Sequence, residues 1–281
     1  MPVPAGVGAP SSYFSRLFAL MRLALLQFVR RPAHLRRTAA AQRLLRQVLL
    51  LVAIGGIFIA ALMVGLDASE IGLMPARGTA SLWPVRILTD FGKDAYVLWS
   101  LAAALILIAV IAPGAQGNSG SLLLRFGTRL QFVFCAVLVP VLAGAVIKWV
   151  AGRGRPFVGG QANAFNFEPF IGSEAYASLP SSHAVTAFAL AFAVAAIWPR
   201  LRAAMIVYAV LIAGSRLLLL AHHPSDVVAG ALIGVVGAIL VRYWFAARRL
   251  GFTIRRDGEI VPLGARVPGH LKRVARGASA P

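Results

Sequence analysis

Residues 203–246 read AAMIVYAVLIAGSRLLLLAHHPSDVVAGALIGVVGAILVRYWFA. Two apolar runs, 203–221 and 226–246, are each long enough to cross a bilayer core of about 30 Å as a helix. Between and within them stand Arg216, His222, His223 and Asp226, ionisable groups at the edge of a medium in which a charge is costly. Similar apolar runs occupy roughly 48–66, 95–113, 130–150 and 184–198. The run at 184–198 is short, but Pro180-Ser181-Ser182 before it reads as a helix start and lengthens it. Trp99, Trp149, Trp198 and Trp244 fall near span ends, where an interfacial aromatic belt places them. The reading is an all-α polytopic membrane protein with six transmembrane helices.

Composition agrees. The chain has 281 residues, 59% hydrophobic and only 13% charged, with a mean hydropathy of +0.79. Soluble domains carry about a quarter charged residues. The net charge of +19 is concentrated at the ends, with eight of the 28 basic residues in 1–47 and nine from Arg242 onward. Basic flanks on apolar spans follow from the positive-inside rule and from anionic lipid, so no nucleic-acid partner is expected. The lone Cys135 sits inside a span and forms no intramolecular disulfide.

Charge asymmetry orients the spans. Residues 1–47 contain no acid, and the connectors at Arg125/Arg129 and Arg200/Arg202 are purely basic. The other connectors mix signs, with Asp67, Glu70, Asp90, Asp94, Glu168 and Glu174 among them. Both termini and the basic connectors therefore belong in the cytoplasm, and residues 151–182 on the opposite face. The chain divides into a basic segment 1–47, a six-span domain 48–247 and a basic tail 248–281 expected to be poorly ordered. Within 13–31, Phe14, Leu17, Phe18, Met21, Leu25 and Phe28 share a helical face with Arg16 and Arg22 mostly opposite, which reads as an interfacial helix.

Three clusters fall on the non-cytoplasmic face. Lys148 and Arg155-Pro156 stand in a KxxxxxxRP spacing. Pro180-Ser181-Ser182-His183 opens the fourth span, where a serine cap and free backbone N–H groups suit a phosphate oxygen. Ser215-Arg216, His222 and Asp226 complete an SRxxxxxHxxxD pattern. Three cations hold a tetrahedral anion, two histidines supply a nucleophile and a proton donor, and an aspartate four residues from His222 can hold its imidazole. Each cluster alone has a plainer reading as headgroup contacts or helix caps; their convergence on one face does not. Arg153 has no assigned partner and reads as a headgroup contact.

In order and spacing these clusters resemble the type 2 phosphatidic acid phosphatase family, integral-membrane relatives of the vanadium haloperoxidases. Ser182 departs mildly, since the family usually has glycine there. The resemblance covers residues 148–226 and its span pattern roughly 48–246. It implies a lipid phosphate phosphatase in which His222 attacks phosphorus to form a phosphohistidine, Asp226 orients it, and His183 protonates the leaving oxygen. Lys148, Arg155 and Arg216 would bind the phosphoryl oxygens, with Ser181, Ser182 and nearby amides completing the cradle. It chooses His222 over His223, which becomes a pocket wall or lipid contact. No metal or cofactor is expected, because three cations supply the charge and no carboxylate cluster stands near in sequence. Phe157, Phe165, Phe167, Phe170 and Tyr176 are expected to line the lipid's way in. Undecaprenyl diphosphate and lipid A phosphate lead among the substrates, with phosphatidylglycerol phosphate and phosphatidic acid behind them. A lipid-phosphate transporter and a non-catalytic recruiter of partners are the rival classes.

Overall fold

A computed structural model of the chain describes residues 12–32, 37–76, 78–115, 117–156, 158–159 and 163–263. The fold is all-α. Helix α1 covers Tyr13–Val29, α2 Arg37–Gly65, the short α3 Asp67–Leu73, α4 Trp83–Asp90 and α5 Asp94–Ile111. Then come α6 Gly117–Ala151, α7 Ser182–Ile197, α8 Arg202–Leu218 and α9 Pro224–Ala247. Among the described residues, five stretches are long and apolar enough to cross a membrane: Arg37–Gly65, Ala80–Gly114, Gly117–Ala151, Pro199–Leu218 and Pro224–Ala247. The sixth predicted span is α7, an apolar helix of 16 residues.

Helix α9 is central, packed on α7, α6 and α2. A face of small residues permits this, as in membrane bundles where hydrophobicity alone does not draw helices together. A Cβ at Gly234 would lie 2.4 Å from the Val185 carbonyl, and one at Gly230 2.5 Å from that of Ser181. That apposition sets the start of α7 beside the start of α9, two of the helix ends that carry predicted site residues.

Two expectations about the ends change. Helix α1 forms, but Leu17, Leu20, Ala24, Gln27 and Phe28 turn toward the bundle, while Phe14, Phe18 and Leu25 project outward. Phe28 stacks on Trp244 at 5.6 Å, and Gln27 donates to Gln131 at 2.7 Å. The expected disorder after Ala247 does not hold for residues 252–262. These form an antiparallel hairpin, β1 Phe252–Ile254 with β2 Ile260–Pro262. Alternation explains it: Phe252 and Ile254 point inward, with Phe252 against Phe132 at 4.7 Å, and Asp257-Gly258 makes the turn. Residues 1–11 and 264–281 lie outside the described residues.

Candidate active site

The end of α6, the starts of α7 and α9 and the end of α8 meet at one end of the bundle. Gly152 stops α6 in a left-handed conformation, φ +53°, with the Glu168 carbonyl 1.8 Å from where a Cβ would stand. The chain then runs antiparallel to the 166–168 segment through an Arg153–Phe167 bridge. Lys148 and Arg155 are thus held by different elements and do not share a helical face. Lys148 Nζ donates to the Ala177 carbonyl at 2.7 Å. Arg155 Nε donates to the Glu174 carbonyl, and its guanidinium pairs with the Glu174 carboxylate at 3.0 Å. That carboxylate is 94% exposed, so the pair is weak. Buried Arg216 donates to Thr89 of α4 at 2.9 Å.

These three cations and His183 all act electrostatically on His222, so the predicted groups converge. His222 lies in the turn between α8 and α9 and is 3% exposed. Burial, then the charges of Lys148, Arg216 and Arg155, hold its imidazole well below the ordinary histidine range. It is therefore neutral near pH 7. Its Nδ1 lies 2.8 Å from the Ser178 carbonyl, which can only accept, so Nδ1 carries the proton and Nε2 keeps its lone pair.

Asp226 does not hold the imidazole. Its Oδ2 is 4.0 Å from His222 Nδ1, beyond a hydrogen bond. Instead Oδ2 accepts from Ser178 Oγ at 2.5 Å and from the His223 N–H at 3.0 Å. The i to i+4 spacing brings the residues close, but His222 Nδ1 is already engaged by the Ser178 carbonyl.

Ser181 is the N-cap residue of α7, but its side chain makes no capping bond. Its N–H donates to the Asp226 carbonyl at 3.0 Å, and its buried Oγ has no partner among the described residues. Ser182 begins the helix and His183 follows in its first turn, with Nε2 likewise buried and unpartnered among the described residues. A cavity of about 270 Å³ is lined by Arg155 and Arg216 together with Gly78, Leu82, Leu219, Ala221 and Arg86. Arg86 of α4 was not among the sequence candidates.

Arg153 overturns its reading as a headgroup contact, for it is completely buried. Nη1 donates to Asp226 Oδ1 at 2.5 Å and Ser225 Oγ at 2.6 Å. Nη2 donates to Asp67 Oδ2 at 2.7 Å, and Nε and Nη2 share the Ala164 carbonyl. All five of its donors are thereby used. Asp67, the first residue of α3, also accepts from the Ser225 N–H at 3.0 Å and from Ser225 Oγ. Phe167 stands over the guanidinium at 5.7 Å while its outer part stays exposed. Phe165 and Phe170 are exposed, Tyr176 donates to Glu168, and Phe157 lies outside the described residues. His223 is fully buried with Nδ1 3.2 Å from the Asp67 carbonyl, which excludes a lipid contact.

Glu70, one turn after Asp67, is 3% exposed, and neither carboxylate oxygen has a partner among the described residues. Burial, then the charges of Asp67 and Asp226, push it up to about 7. A carboxyl raised in the fold favours folding while protonated. This stability is fully present below the unfolded value of 4.5 and is lost as pH rises through about 7. The melting temperature in detergent is expected to fall between about pH 5 and pH 8, and Glu70→Gln to flatten that fall. A Glu70→Gln variant with the same pH dependence as the parent would show that another group titrates.

Comparison with known proteins meets this geometry. The family model described as PAP2 superfamily matches residues 129–250. A "Lipid A 1-phosphatase" of Rhizobium johnstonii is 32% identical over 182 residues, covering 61% of this chain and 71% of the relative. A protein of the same name from Rhizobium etli is 31% identical, covering 61% and 75%. No solved structure is a significant match. The matched residues hold all three clusters and the helix ends that bring them together, and the relatives are covered over most of their length: the chain belongs to the PAP2 superfamily.

Proposed function

We propose that the protein is a membrane lipid phosphate phosphatase that works through a phosphohistidine, and that its substrate is the 1-phosphate of lipid A. The observation that carries the mechanism is the His222 ring, neutral, with Nδ1–H given to Ser178 and Nε2 left as a nucleophile among three cations. Nε2 attacks phosphorus in line while the bond from phosphorus to the lipid oxygen breaks. His183, charged by taking up a proton as the anionic phosphate settles beside it, gives that oxygen its proton. Water then attacks the P–N bond, His183 takes the water's proton, and inorganic phosphate leaves with His222 neutral again. Lys148, Arg155 and Arg216 balance the phosphoryl charge throughout, the role that positioned cations play in phosphoryl transfer.

A lipid is the class of substrate that suits the surroundings. An apolar groove of about 700 Å³ runs between α4, α5 and α7, lined by Phe91, Tyr96, Trp99, Leu101 and Leu190. Asp90 is part of its lining, and the charges of Asp90 and its ion-pair partner Lys93 act on His183. The names of the two Rhizobium relatives favour lipid A over undecaprenyl diphosphate in this reading. We place the site on the periplasmic side of a bacterial inner membrane with the termini cytoplasmic, on the alternation of basic and mixed-sign connectors.

Purified protein offered lipid A 1-phosphate, undecaprenyl diphosphate, phosphatidylglycerol phosphate and phosphatidic acid should release phosphate fastest from the first. Activity should survive excess EDTA, because the positive charge comes from side chains, and vanadate should inhibit as a transition-state mimic. Equal rates on all four lipids would remove the substrate assignment, and loss in EDTA reversed by Mg²⁺ would remove the metal-free mechanism.

A further inference from the structure

We infer that Asp67, Arg153 and Ser178 are positioning residues that, with Asp226, fix which ring nitrogen His222 presents to phosphorus and where it points. The inference rests on His222 as the attacking group. The chain of contacts is continuous. Asp67 and Asp226 hold opposite sides of the Arg153 guanidinium at 2.7 and 2.5 Å. The other oxygen of Asp226 holds Ser178 Oγ, and the Ser178 carbonyl holds His222 Nδ1.

Every side chain in this chain is 3% exposed or less. A buried guanidinium between two carboxylates has few arrangements that satisfy it, so it defines the position of Asp226 closely. A carboxylate held at Oδ1 can turn only Oδ2 toward Ser178. Residue 178 lies in an irregular loop, between the 3₁₀ turn Glu174–Tyr176 and α7, which would otherwise leave its carbonyl free to rotate. The Ser178 N–H also donates to the Arg153 carbonyl at 3.0 Å, so Arg153 holds this loop through both its side chain and its backbone. The reach of α3 matters equally. Asp67 lies 86 residues before Arg153, and through it the end of the first span is locked to the nucleophile's turn.

The phosphate-binding cations Lys148, Arg155 and Arg216 make none of these contacts, so the relay should govern turnover more than binding. The test is kcat and KM on lipid A 1-phosphate in detergent for Ser178→Ala, Arg153→Met, the double variant and His222→Ala. Ser178→Ala should lower kcat by about tenfold and Arg153→Met by about a hundredfold, both with KM within about threefold of the parent. The double variant should be no slower than Arg153→Met, because both changes break one chain of contacts. Should Arg153→Met fail to fold, Asp226→Asn takes its place in the cycle with Ser178→Ala. Parental kcat in Ser178→Ala, or effects that simply multiply, would overturn the relay. If His222→Ala is dead while these variants keep parental turnover, the relay alone is wrong. If His222→Ala still turns over, the phosphohistidine reading fails and the relay with it.

Discussion

His222→Ala is expected to lower turnover by at least about 10⁴-fold, the scale on which removal of an essential nucleophile registers. His222 is buried, neutral and fixed at Nδ1 by the Ser178 carbonyl, which leaves one ring nitrogen and one direction of attack. Its neighbour His223 is buried on the other side of the turn, with Nδ1 on the backbone carbonyl of Asp67. His223→Ala should therefore cost stability while keeping turnover per folded molecule within about tenfold of the parent. A dead His223→Ala beside an active His222→Ala would shift the third cluster by one residue and reverse both assignments.

His183→Ala is the second large effect, and its size should depend on the leaving group. General acid catalysis contributes about 10²–10⁴-fold, most where the departing oxygen is a poor leaving group. His183 stands at the start of α7, within reach of the charges of Arg216 and Lys148, with its Nε2 uncommitted to any described residue. On a lipid alkoxide the loss should be about 10³-fold; on p-nitrophenyl phosphate, whose phenolate leaves without a proton, about tenfold or less. The same large loss on both substrates would mean that His183 binds phosphate and does not donate the proton.

Most of the fold could be read from hydropathy, because a bilayer demands long apolar helices and basic flanks whatever else the chain does. The hairpin at 252–262 escaped because a basic, glycine- and proline-containing tail reads as unstructured by composition. Its local signal was present in the inward alternation of Phe252 and Ile254 and in the Asp257-Gly258 turn. At the site, spacing singled out the residues that the proposal sets around phosphate, most of them at helix ends. It did not identify what holds them. Arg153 lies two residues from Arg155, and nothing local separates a buried guanidinium from a solvated one; its partners Asp67 and Asp226 are 86 and 73 residues away. One physical hint was available. Asp67 and Glu70 are two acids directly after an apolar span, and acids so placed need a cation or a proton. Asp67 takes the cation, and Glu70 is the group driven toward the proton. The orientation of His222 by Ser178 was out of reach for another reason, because a backbone carbonyl in a loop leaves no mark on residue type.

The central claim, attack by His222 on a lipid phosphate, is tested most directly by trapping the covalent enzyme. Purified protein mixed with ³²P-labelled lipid A 1-phosphate, quenched in base within one turnover and digested, should yield one labelled peptide with the phosphate on His222, stable in base and lost in acid. Label on His183 or His223, or steady turnover with no covalent label at any quench time, would contradict it.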